Sequence, residues 1–135
     1  MIEKGLYSLL AGTAGVTAIV STRIYPNYAP QNAGTRYIVY RRVTSERVRH
    51  LRGSGGKRRA MIQVECYGAT ALEAKALWEA VEAAIGNDGF TGTWDGQAVA
   101  VAFWEDDSDD FVPPQASSDR GKHVVSADLV VWYEE

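Results

Sequence analysis

The chain has 135 residues, 46% apolar and 23% charged, with a formal net charge of −3. That size and balance fit one soluble globular domain with one core, over residues 1–135. A single cysteine and two histidines exclude an intrachain disulfide and a Cys/His metal set.

The small net charge conceals a division. Residues 1–60 carry eleven Lys/Arg against two Asp/Glu, whereas residues 61–135 carry three against fifteen, giving halves of +9 and −12. Such asymmetry points to an interaction surface, and with both signs in one small domain each copy attracts its neighbour.

The first segment, LYSLLAGTAGVTAIV (6–20), is shorter than the ~20 apolar residues that span a bilayer. Glu3 and the Gly/Thr interruptions also argue against a signal peptide. The spacing predicts two short helices broken at Gly12 and Thr13. Ile2, Leu6, Leu9 and Leu10 line one face, and Val16, Ile19 and Val20 another. The chain reads as soluble and intracellular when made, without membrane contact.

A short strand at 23–25 precedes a turn-rich loop containing Pro26 and Pro30, and a strand over 36–44 follows. Then comes RVTSERVRHLRGSGGKRR (42–59), with seven Lys/Arg among eighteen residues and Glu46 alone opposing them. Residues 58–68 alternate, with Ala60, Ile62, Val64 and Cys66 on one face and Met61, Gln63, Glu65 and Tyr67 on the other. That is the pattern of a half-buried antiparallel strand. The strands at 36–44 and 59–67 place the basic residues on an extended hairpin, with 53–56 as its tip.

Thr70 and Glu73 form a capping box ahead of the chain's long helix. Its stripe is Ala74, Leu77, Trp78, Val81, Ala84 and Ile85, with Glu79 and Glu82 solvated. Gly86 closes it as a left-handed cap, and Asn87, Asp88 and Gly89 turn the chain. Strands at 90–94 and 97–105 meet at Asp95-Gly96, a preferred two-residue hairpin turn. The acidic run EDDSDD (105–110) opens a polar loop. The last strand puts Val125, Ala127, Leu129, Val131 and Tyr133 on one face. The sum is an α+β fold: an antiparallel (mixed) sheet packed on one long helix, with short N-terminal helices and an extended basic hairpin.

No element carries catalytic machinery. The acidic run lacks calcium-loop spacing, because position six from Glu105 is Asp110 rather than glycine. His50 and His123 have no Ser or Cys partner in a known motif, and Cys66 faces the predicted core. The four residues 53–56 lack the strand–loop–helix context of a phosphate cradle. No cofactor is expected. The basic stretch has three readings: a solvated loop, a phosphate-binding arm, or a protein-docking element. It lacks interleaved aromatics and a nucleic-acid motif, and the charge division favours docking. The candidate interface is therefore Arg41, Arg42, Arg47, Arg49, Arg52, Lys57, Arg58 and Arg59 against Glu105, Asp106, Asp107, Asp109 and Asp110. Trp132 and Phe111 are apolar candidates, as are Trp104, Tyr25 and Tyr28, each of which has a competing core role.

MIEKGLYSLLAGTAGVTAIVSTRIYP, YIVYRRVTSE, MIQVECYGATALEAKALWEAVEAAI and the closing LVVWYEE together resemble the tail-completion or tail-terminator proteins of long-tailed bacteriophages and gene-transfer particles. The resemblance implies a non-enzymatic α+β virion protein that assembles with itself as a ring, usually a hexamer. Such a ring caps the tail tube, stops its polymerisation and joins the head through a connector protein. It implies residence in the tail or neck, after synthesis in the host cytoplasm, and a lumen through which genome DNA passes without specific binding. A basic-arm nucleic-acid-binding module, or another ring-forming head–tail connector subunit, is the alternative.

Overall fold

A computed structural model describes residues 2–30, 34–50, 53–86, 89–113 and 121–134, with the side chains of 48–50 and 53–56 left out of the description. Two N-terminal helices, α1 (Ile2–Ala11) and α2 (Ala14–Val20), lead into β1 (Ile24–Pro26), β2 (Tyr37–His50) and β3 (Gly53–Gly68). Helix α3 (Ala71–Ile85) then precedes β4 (Phe90–Trp94), β5 (Gln97–Val112) and β6 (Lys122–Glu134). The strands form one six-stranded sheet in the order β1-β2-β3-β6-β5-β4. Only β1 runs parallel to its neighbour, so the sheet is mixed.

The helices share one face of the sheet. Ala60, Ile62, Val64 and Cys66 of β3 and Val125, Ala127, Leu129, Val131 and Tyr133 of β6 point into the core, as their alternation predicts. From the helices come Ile2, Leu6, Leu10, Val16 and Val20, then Ala74, Leu77, Trp78, Val81 and Ile85. Each such aliphatic side chain contributes about 1.5–3 kcal/mol when taken out of water. The two short N-terminal helices expected from the sequence join the long one in this layer, so among the described residues the sheet packs against three helices rather than one; α3 is the longest at 15 residues and α1 has 10.

Local chemistry sets the boundaries. Thr70 Oγ1 accepts from the Glu73 N–H at 3.2 Å, while Glu73 Oε2 accepts from the Ala69 N–H at 2.9 Å, one residue earlier than a standard capping box. Gly86 ends α3 with φ 98° and ψ 150°, so the expected left-handed cap is replaced by an extended positive-φ conformation that suits glycine alone. Asp95 (φ 50°) and Gly96 (φ 82°) make the predicted tight turn, with Trp94 opposite Gln97.

Two expectations need correction. The acidic run is not a loop: β5 continues through it to Val112 and pairs with β6 as far as Lys122. Likewise, β2 runs past Thr44 to His50 and β3 starts at Gly53, which pairs with His50, so 53–56 belongs to a strand rather than a tip. In both places ladder pairing to a long neighbour overrides weak local strand propensity. The expected turn residues Asn87 and Asp88 lie outside the described residues, as does the segment 114–120.

Gly68 is where β3 meets α3. A methyl group there would lie 2.6 Å from the Ala74 nitrogen and 2.9 Å from Glu73 Cβ. Gly68→Ala is expected to destabilise the fold by about 1–3 kcal/mol, and Thr70→Ala by about 1 kcal/mol. Denaturant titration measures both. A neutral Gly68→Ala would contradict this packing.

Candidate functional site

The side of the sheet away from the helices carries the unusual chemistry. Register assigns its rows across β2, β3, β6 and β5. One row is Glu46, Arg59, Trp132 and Val101; the next is Thr44, Met61, Val130 and Phe103. Then come Arg41, Gln63, Asp128 and Asp106, followed by Val39, Glu65, Ser126 and Ser108, and last Tyr37, Tyr67, Val124 and Asp110. The face thus mixes apolar and charged residues at one end, is polar in the middle and carries tyrosines at the other end.

At the aromatic end Tyr37 stacks on Tyr67 with centroids 4.6 Å apart, and Tyr25 meets Tyr37 edge-on at 6.3 Å. Lys122 Nζ donates to the Tyr37 hydroxyl at 3.0 Å. The Tyr67 hydroxyl donates to Glu65 at 3.1 Å, and burial together with that carboxylate raises its pKa. Strand 36–44 carries apolar residues on both faces, and so does 124–132; that was the signal for a second buried cluster, and reading a single core passed over it.

The basic residues are spread along β2 and β3 and are largely engaged within the chain. Arg41 Nε donates to Gln63 Oε1 at 2.9 Å. Arg42 Nε lies 3.5 Å from Glu3 Oε1, and Arg58 Nη1 donates to Ser45 Oγ at 3.5 Å. The Arg59 guanidinium sits over the Trp132 ring, 5.9 Å from its centroid, which half-buries that indole. Lys57 and Arg47 are exposed on adjacent rungs, with Arg47 directly opposite Arg58. Only the backbone of Arg49 is described, and Arg52 lies outside the described residues.

The acidic residues alternate along β5, and all five are exposed. Asp107 and Asp109 lie on the helix side, where Lys75 Nζ of α3 is 3.1 Å from Asp109 Oδ2. Asp106 and Asp110 lie on the open face, and Glu105 is the extra residue of a β-bulge between Trp104 and Asp106. Asp110 Oδ1 accepts from the Phe111 N–H at 2.7 Å. Asp106 pairs directly with Asp128. Partial burial, the hydrogen bond with Asp106 and the charges of Asp106 and Glu105 raise the Asp128 pKa.

The two apolar candidates do not form one patch. Trp132 pairs with Val101 near one end of the β5–β6 ladder, whereas Phe111 pairs with His123 at the other, its ring 4.9 Å from the imidazole. Phe111 is 46% exposed and Tyr28 78%. Trp104 packs edge-on against Trp78 at 4.6 Å and belongs to the core boundary, and Tyr25 to the tyrosine cluster.

Among the described residues nothing is built for covalent chemistry. Cys66 is fully buried, and that burial raises its thiol pKa, the opposite of nucleophile activation. Among the described residues no group of three or more His, Cys, Asp or Glu side chains could hold a metal ion. Nor, among them, is any helix long and apolar enough to cross a membrane. An open groove of about 500 Å³ between α1 and β2 is lined by Glu3, Lys4, Tyr7, Tyr40, Arg41 and Arg42 with Pro26 and Asn27. It offers charge and aromatic surface without a nucleophile and base in contact.

These features define an α+β domain whose helix-free face and strand flanks carry its unusual charge and aromatic groups. Residues 4–128 match the family described as "Tail completion protein gp17", and the chain belongs to that family. The protein is accordingly a structural protein of the phage tail, not an enzyme. The fold is similar to a chain in a structure titled "Virion of native gene transfer agent (GTA) particle", with a TM-score of 0.68 at 13% identity. That similarity covers 96% of this chain and 92% of the other. No curated protein sequence matches.

The Asp106 and Asp128 pair has a measurable signature. A carboxyl whose native pKa is raised favours folding most below its ordinary value of 3.8. That contribution disappears as pH climbs from there through the native value. Wild type is therefore expected to lose stability relative to Asp128→Asn as pH rises from below 3.8 toward neutrality. Denaturant midpoints of both proteins across that range measure it, and a constant difference would contradict the pairing.

Proposed function

We propose that the chain is a tail terminator. Copies of it form a ring, hexameric as the resemblance implies, that seats on the end of the finished tail tube and stops further addition of tube protein. The opposite surface receives the head–tail connector, and genome DNA passes through the central hole without specific binding. The residues assigned to contacts between copies or with the tube are Arg41, Arg42, Arg47, Arg49, Arg52, Lys57, Arg58 and Arg59 on one side. Opposing them are Glu105, Asp106, Asp107, Asp109 and Asp110, with Trp132 and Phe111 adding apolar area.

The observation that carries this reading is the placement of opposite charges on opposite sides of one sheet, in a chain of the tail completion family. A subunit with unlike sides associates head to tail, and head-to-tail contacts close into rings when the rotation permits. Charge sets register and association rate in such a contact, while buried apolar groups hold it. The nucleic-acid alternative is weakened by the lack of interleaved aromatic side chains for stacking bases in the basic stretch 42–59.

Electron microscopy of tail tubes mixed with purified protein is expected to show rings at tube ends that persist at moderate salt. The triple variant Arg47→Glu, Arg49→Glu, Arg52→Glu is expected to remain folded by circular dichroism and to leave the tubes uncapped. Tight DNA binding that falls by about 10³–10⁵ between 50 and 200 mM salt, without rings, would support the nucleic-acid reading instead.

A further inference from the structure

The groove of about 500 Å³ between α1 and β2 lies in the lane that β1 leaves. Strand β1 pairs with β2 in parallel only from Ile24 opposite Ile38 to Pro26 opposite Tyr40. Asn27, at φ 68°, then turns the chain away, its N–H donating to the Tyr40 carbonyl at 2.8 Å. Beyond that point no strand of the described residues pairs with the outer side of β2. The Ile38 N–H donates to the Arg23 carbonyl at 3.0 Å, so Ile38 and Tyr40 turn their backbone groups toward β1. Backbone groups alternate in direction along a strand, and Arg42 therefore turns its N–H and C=O the same way, toward the groove it lines. Open strand groups of this kind pair readily with an added strand.

The walls select the charge of that strand. Glu3, Lys4 and Tyr7 come from one flank of α1, and Tyr40, Arg41 and Arg42 from β2. Three cations against one carboxylate leave the groove with a net charge of +2. The carboxylate is already opposed, since Arg42 Nε lies 3.5 Å from Glu3 Oε1. Lys4 is exposed and forms no ion pair with a described residue. Tyr7 is 38% exposed, and its ring centroid lies 6.4 Å from that of the buried Tyr40, which gives the groove apolar surface as well. Glu3 Oε1 is buried without a hydrogen-bond partner among the described residues. A buried acceptor left without a donor is costly, and an amide entering the groove supplies one.

The shape of the lane narrows the choice further. Pro26 and Asn27 close it at one end, so whatever enters must stop or turn there. A strand fixed inside another sheet that runs on past this point collides with β1, whereas a chain end or a loop does not. A DNA backbone offers phosphate oxygens and no donors, which leaves Glu3 Oε1 and the Arg42 carbonyl unanswered.

We infer that this groove docks an extended acidic segment of a protein other than this chain, a chain end or loop that adds to β2 beyond β1. The main chain of the segment pairs with the outer side of β2 at Arg42, one of its donors reaches Glu3 Oε1, and its carboxylates meet Lys4, Arg41 and Arg42. Docking of this kind needs no ring and is open to test on the isolated chain.

Fluorescence anisotropy with a short labelled peptide of alternating Glu and Val tests it, beside the same peptide with Lys in place of Glu. The acidic peptide is expected to bind, and the basic one to bind at least about tenfold more weakly. Lys4→Glu and Arg42→Gln, each confirmed folded by circular dichroism, are expected to weaken the acidic peptide by about tenfold. Two further acidic peptides carry N-methyl groups on alternate amides, in one phase or the other. One phase removes the donors that face β2 and is expected to abolish binding, while the other weakens it far less. Equal binding of the acidic and basic peptides, indifference to both methylation phases, or no binding by wild type at millimolar peptide would overturn the proposal. Dimers in ultracentrifugation that Lys4→Glu dissociates would also overturn it, because a second copy would then be the occupant. Rings at tube ends without peptide binding sink the groove alone, whereas peptide binding without rings sinks the terminator reading alone.

Discussion

The architecture depends on the ladder between β3 and β6. It runs without a register shift from Lys57 opposite Glu134 to Gly68 opposite His123. A one-residue slip would turn Ala60, Ile62, Val64 and Cys66 outward together with their partners Val125, Ala127, Leu129 and Val131. Because the last strand of the chain enters the middle of the sheet, β2 and β5 are pushed to opposite sides. Everything distinctive about the surface follows from that insertion.

Its first consequence is electrostatic. In sequence the positive and negative residues are merely early and late. In space the same order puts Arg41 and Arg42 on one flank and the acidic stretch of β5 on the other, with two central strands between them. The second consequence is a helix-free face whose rows mix apolar and charged residues. Trp132 under the Arg59 guanidinium is half-buried, and Tyr37 stacked on Tyr67 is buried, with no helix of the described residues covering that face. A structural subunit of a tail gains from such a design, because one core supports several contact surfaces and no active site has to be kept open to substrate.

Much of the interior was legible from the residues. Alternation at 60–66 and 125–133 identified the two central strands and their core faces. Thr70 with Glu73 marked the start of α3, and Asp95-Gly96 its hairpin. The acidic stretch was misread because carboxylates have low strand propensity and five of them among six residues resemble a solvated turn. Pairing with β6, a contact across the chain's own length of β5 and the segment after it, overrides that preference. The position of β6 between β3 and β5 leaves no trace in local pattern either, since alternation marks a strand's buried face and not its neighbours. The charge division was visible at once, but its meaning as two sheet edges required the strand order.

The central claim is that copies of this chain close into a ring on the end of the tail tube. Electron microscopy of the assembled particle tests it most directly. The account predicts a closed circle of this chain at the junction of tail tube and head. Particles with no such circle at that junction would contradict it.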